Sequence, residues 1–195
     1  MPGINEIATR HLRVCDRFGE AVAAAAGKWD RPSPCPDWDA RGVLEHVIGF
    51  HDVLLLRPMN EKPARPHDDP LQRWLVTKDA LEALLGRPAF FDEPIDLPAV
   101  GNNLASQLEA APLVAGLTQD VLVHTWDLAR AVGADDRLDP DLCEYYLRRL
   151  PADPQALVRS GMFGPAVQLE TDEEPQTQLL ARLGREPDWQ QPSHP

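Results

Sequence analysis

The stretch Gln119–Val132, Q-D-V-L-V-H-T-W-D-L-A-R-A-V, decides how the rest of the chain is read. Val121, Leu122, Leu128, Ala129 and Val132 recur at helical spacing, which predicts one long helix with an inward face. Asp120 and His124 stand four positions apart and project from one side of that helix, a turn from each other. A carboxylate and an imidazole so placed can grip one metal ion if a third ligand arrives from elsewhere. Alone, a D-x-x-x-H pair is far more often a helix-surface ion pair than a metal site. The third ligand and the scaffold have to come from the rest of the chain.

Upstream, Pro112 permits a helix to start but not to run through, so the start is placed at Ala111 or Pro112, with Gly133 as the C-cap. Three further helices share that amphipathic character. Ile4–Ala26 repeats Ile4, Ile7, Val14, Phe18 and Val22 and stops at Gly27. A second helix starts behind Asp39 as N-cap, carries Val43, Leu44, Val47, Ile48 and Leu55 inward with His46 beside them, and ends at Arg57-Pro58. Gly49 within it points to a close neighbour or a small space kept open. Leu71–Leu85 is a third, stopped at Gly86. The connections are Trp29–Asp39, rich in proline and packed down by two tryptophans, and Met59–Pro70, a polar linker expected to be mobile. Ala89–Gly101 is expected to be a bent extended loop rather than part of a strand pair. Pro140–Leu150, capped by Asp139, predicts a fifth helix. R-S-G-M-F-G-P-A-V-Q-L-E follows as a short extended segment, and P-Q-T-Q-L-L-A-R-L-G as a last short helix stopped by Gly184.

The expectation is an all-α protein: a four-helix bundle over residues 1–150, and a C-terminal extension, 151–195, packing on it with its last residues disordered. With 195 residues, 43% hydrophobic and 26% charged, the chain is long enough for a real core. A net charge of −12 and a pI near 4.8 leave no basic footprint for nucleic acid and disfavour an anionic membrane surface. Cys15, Cys35 and Cys143 are spaced for neither a disulfide framework nor a zinc ribbon. Met1–Arg10 lacks a signal-peptide core, and a cytoplasmic location is expected.

In a bundle, metal ligands come from facing helices and point inward, so His46 can meet Asp120 and His124. His, Asp and His leave coordination positions open, which marks a reactive metal rather than a structural one. The blocks P-C-P-D-W-D-A-R-G-V-L-E-H-V-I-G and D-V-L-V-H-T-W-D-L-A-R-A-V-G, with M-F-G-P-A-V and L-L-A-R-L-G-R-E-P near the end, resemble the DinB-like metal-binding superfamily. The branch is the one that includes mycothiol-dependent maleylpyruvate isomerase, and the resemblance runs from about Ile4 to Trp189. It implies a DinB-like four-helix bundle and a metal held by His46, Asp120 and His124. The isomerase carries Glu where this chain has Asp120, whose carboxylate sits one methylene closer to the backbone. It also implies a link to transfer of low-molecular-weight thiols, although no residue of this chain can be matched to thiol binding. The chain is expected to end short of the isomerase's larger C-terminal region.

Three functions follow as expectations. The first is a metal-dependent thiol transferase or isomerase acting on a small molecule, with Zn²⁺ the leading ion and Ni²⁺, Fe²⁺ or Mn²⁺ accommodated by the same ligands. The second is a non-catalytic bundle that binds a metal or small ligand as a sensor or stress protein. The third is a protein with an empty site that acts through homodimerisation. Asp127 is expected to form an i,i+3 ion pair with Arg130, against a reading in which it orients a metal ligand from outside. Cys35 is expected to be a small buried hydrophobe. His51 is read as a surface residue or a support behind the ligands, His11 and His67 as solvent-exposed, and His194 as part of a disordered tail.

Overall fold

The computed structural model describes residues 4–92, 94–97, 105–159, 162–170 and 173–192. Its architecture is mostly helical, a helical bundle with one small two-stranded sheet among the described residues. The central helix is α4, Ala110–Val132, buried on nearly all sides, as expected of a helix that is apolar almost all round. Pro112 sits in its first turn, where a missing N–H removes no helical bond, and Gly133 ends it in the left-handed conformation at φ 69°.

Around α4 stand α1 (Ile4–Ala24), α2 (Ala40–His51) and α3 (Pro70–Leu85). The first two pack on α4, and α3 closes against both of them. Phe18 of α1 meets Trp74 of α3 edge-on at 4.7 Å, and both are fully buried. Asp39 caps α2 by accepting from the Gly42 N–H at 2.7 Å, and Asp69 caps α3 through Gln72. After His51 the helix widens into a π turn over Asp52–Leu56, in which the Arg57 N–H reaches back five residues to the Asp52 carbonyl. A Cβ on Gly49 would meet nothing within 4 Å, so no close neighbour explains that glycine.

Several connections differ from expectation. The linker before α3 is anchored rather than loose: Arg65, buried in its middle, holds Asp52 with both terminal nitrogens (2.9 and 2.7 Å) and Thr77 with Nε (2.6 Å). Ile95–Leu97 (β1) pairs antiparallel with Ser106–Leu108 (β2), Ile95 opposite Leu108, where an unpaired loop was expected. Of those six side chains only Ile95 is buried, so the pair carries no alternating pattern by which sequence could announce it. Downstream, α5 covers Pro140–Leu147, three residues shorter than predicted. A six-residue helix, α6 (Pro154–Arg159), precedes the extended segment; it buries only Leu157 and offers no periodicity to read. The last helix, α7 (Pro175–Arg182), packs on α5. His194 lies outside the described residues. No helix among those described is long and apolar enough to cross a membrane.

Candidate metal centre

The loop ahead of α2 shapes one wall of the site. Backbone bonds Arg41 N to Trp29 O (3.0 Å) and Ala40 N to Arg31 O (2.9 Å) fold Trp29–Asp39 back on itself, so it is packed down as its tryptophans predicted. Gly42 leaves room for Trp38: a Cβ there would lie 2.9 Å from the Trp38 Cβ. Trp38 thereby stacks on the His46 ring at 4.4 Å, and Phe50 stacks against His46 at 5.0 Å. The imidazole is held flat between two aromatic faces, with little freedom to turn.

Across from it, α4 presents Asp120 and His124. The structure brings the three sequence-predicted residues together: Asp120 Oδ1 lies 3.3 Å from His46 Nε2 and 3.5 Å from His124 Nε2. The two rings are 4.6 Å apart, and one ligand atom from each of the three residues falls within 4.8 Å of the others. Asp120 Oδ2 is buried and has no hydrogen-bond partner. A carboxylate oxygen removed from water with nothing to bond is unfavourable by about 1–3 kcal/mol or more, which makes it a place where a cation fits. Burial pushes the Asp120 carboxyl up, but the bond and charge of His124, then of His46, outweigh it and hold it well below the usual carboxylate range. Burial likewise pulls His124 down, and Asp120, Asp127 and Cys35 together drive it well above its ordinary value. Without an ion, His124 therefore holds a proton that a metal would have to displace.

Behind His124 lies a support that sequence did not assign. Asp127 is fully buried and accepts from His124 Nδ1 at 2.8 Å, which leaves Nε2 facing the cleft. It is not paired with Arg130, which instead donates to the Pro187 carbonyl (3.0 Å) and lies over the Trp126 ring. The helix turn that carries Asp127 points it inward, toward a cation from the far end of the chain. Arg185 grips it with Nε (3.0 Å) and Nη2 (2.8 Å). Cys35 joins the same group: its thiol donates to Asp127 Oδ2 at 3.4 Å and accepts from Arg185 Nη2 at 3.0 Å. Burial pushes the Cys35 thiol up, so at neutral pH it is a protonated, hydrogen-bonded group rather than a simple hydrophobe or a nucleophile.

Arg185 reaches the site because Gly184 turns the chain at φ 77° and lies against Gly164; a Cβ on Gly184 would fall 2.9 Å from the Gly164 carbonyl carbon. Its recruitment from 58 residues away had no local signal beyond its place in L-G-R-E-P. Met162 and Phe163, from the segment ahead of Gly164, help close a cleft of about 580 Å³ over the His46–Asp120–His124 group. His67 is exposed as expected. His11, expected outside, and His51, read as a surface residue or a support behind the ligands, are both fully buried between α1, α2 and α4.

The mycothiol maleylpyruvate isomerase N-terminal domain model matches residues 11–129, which includes all three residues of the centre. Two relatives from Mycobacterium tuberculosis, of strains CDC 1551 / Oshkosh and ATCC 25618 / H37Rv, are each described as an uncharacterized protein. Each is 30% identical over 185 residues, spanning 90% of this chain and 95% of the relative. No solved structure gives a significant match. The chain therefore belongs to the mycothiol maleylpyruvate isomerase N-terminal domain family, within the DinB-like superfamily.

Proposed function

We propose that the protein is a divalent-metal-dependent enzyme of the thiol-transferase or isomerase type, acting on a small molecule with a low-molecular-weight thiol as partner. His46, Asp120 and His124 would hold the ion, with Zn²⁺ favoured by the two imidazoles and one carboxylate. The observation that carries this reading is the buried, unpartnered Oδ2 of Asp120 beside two imidazole Nε2 atoms. Family membership supports it. In the same reading, α1–α4 form the DinB-like four-helix core within residues 1–150, and 151–195 is an extension that completes the site. The protein works in the cytoplasm, as a monomer or homodimer.

Bound there, the ion would supply deprotonation of a thiol at neutral pH or polarisation of a carbonyl. The chain's own residues prepare the ground. Asp127 keeps the His124 proton on Nδ1, Trp38 and Phe50 fix the plane of His46, and Arg185 balances the charge of Asp127 so that it stays a carboxylate. Met162 and Phe163 give the cleft an apolar wall against which a small substrate can leave water.

The test is metal content followed by turnover. The purified protein should carry close to one divalent ion in this cleft and either transfer mycothiol to a small electrophile, consuming it, or isomerise a cis-unsaturated substrate with mycothiol required but recovered. His124→Ala should lose both the ion and the turnover. A metal-loaded protein with no thiol-dependent turnover would favour the non-catalytic sensor or stress-protein reading instead.

A further inference from the structure

A second group of ligand-type side chains lies inside the bundle, separate from the cleft. His11 and Cys15 stand one turn apart on α1, and His51 closes α2; all three are wholly buried. His51 Nδ1 donates to the Val47 carbonyl at 2.7 Å, so its Nε2 is bare. Thr118 donates its single hydroxyl hydrogen to the Val114 carbonyl at 2.7 Å, and its oxygen therefore accepts from Nδ1 of His11 at 3.1 Å. That leaves His11 Nε2 without a hydrogen of its own, with only the Cys15 thiol, at 3.5 Å, to donate to it. The two Nε2 atoms face each other at 3.1 Å.

Two lone pairs aimed at each other in a dry interior are relieved either by a shared proton or by a metal ion. We propose that His11, Cys15 and His51 form a second, buried three-ligand metal site for a borderline or soft ion such as Zn²⁺ or Cu⁺, held by both Nε2 atoms and the Cys15 thiolate. The spacing agrees. A tetrahedral Zn²⁺ with bonds of about 2.0 Å to nitrogen and 2.3 Å to sulfur sets ligand atoms about 3.3 Å (N to N) and about 3.5 Å (N to S) apart. The outer hydrogen bonds agree too: each ring nitrogen turned away from the centre is fixed by a carbonyl or hydroxyl, as ligating histidines require. Burial pulls both imidazoles down, which keeps them in the neutral form that binds metal. On binding, the Cys15 proton leaves to solvent and the sulfur–metal bond forms with no change of oxidation state. Buried between the helices, out of reach of a substrate in the cleft, this ion joins α1 to α2 rather than serving a reaction.

The probe is Co²⁺, whose bond to a thiolate gives a near-ultraviolet charge-transfer band. The protein carries Cys35→Ser and His46→Ala, so that the cleft offers neither a thiol nor its full ligand set, and it is refolded with Co²⁺ because the site is buried. One tightly bound equivalent with the thiolate band is expected, and adding Cys15→Ser should remove the band. Refolded protein without the band, or a band that survives Cys15→Ser, overturns the site and leaves a hydrogen-bonded chain in which Thr118 donates to His11. Should Cys15→Ser lose its helical circular dichroism, zinc-edge X-ray absorption of the Cys35→Ser/His46→Ala protein decides. One sulfur with two imidazoles supports the site, and a shell of oxygen and nitrogen alone overturns it.

Discussion

At the scale of the residue, Asp120, half-buried, and Asp127, fully buried, are acids on one face of α4, and their environments assign them different work. Asp120 keeps an oxygen without a partner, whereas every oxygen of Asp127 is taken by His124, Arg185 or Cys35. Asp120→Ala, His46→Ala and His124→Ala should therefore each lose most of the Zn²⁺ affinity of the cleft, while Asp127→Asn should weaken it by about 10–100-fold. Calorimetric titration of the metal-free proteins at neutral pH reads this ordering directly, and equal losses for Asp120→Ala and Asp127→Asn would refute it. His124 gives a second expectation. Its folded pKa is raised, so the stability it contributes is complete below its unfolded value near ~6.5 and is lost as pH rises through the folded value. Metal-free protein should thus become less stable in urea as pH rises above ~6.5, and His124→Asn should flatten that slope. His11 and His51, pulled down by burial, act in the opposite sense, since the unfolded chain binds the extra protons, and their effect fades as pH rises above ~6.5.

At the scale of the element, what sequence could show depended on whether a signal was local. The inward stripes of α1, α2 and α4, the Asp39 cap and the Gly133 stop are all properties of adjacent residues, and each emerged where its pattern placed it. The D-x-x-x-H pair and His46 could be named because helix periodicity fixes which way a side chain points. Arg185 could not be, because its partner lies 58 positions away and its approach depends on a backbone contact between two glycines. His11 was misjudged by residue type: it lies in register with Ile7, Val14 and Phe18 on the inward face of α1, where α2 and α4 cover it. The glycine contact is open to test. Gly184→Ala places a side chain at positive φ and against Gly164, a strain on the order of 1–3 kcal/mol. It should lower the midpoint of thermal unfolding and, by drawing Arg185 back, weaken Zn²⁺ binding in the cleft. Gly49→Ala, which meets nothing, should do neither.

At the scale of the whole molecule, the cleft is assembled from three distant parts of the chain. The loop and α2 give one wall, α4 gives the floor, and the segment around Gly164 and Arg185 gives the rest. The buried ion pair between Asp127 and Arg185 fastens the last part to the bundle. Such a pair resists single losses far more than joint ones, because removing one partner strands a charge in the interior at about 3–5 kcal/mol, whereas exchanging both for apolar residues can be close to neutral. The consequence is one of inheritance. A lineage that loses Arg185 carries an unstable intermediate until Asp127 also changes, so the two positions should be gained and lost together among related chains, although they are far apart in the gene.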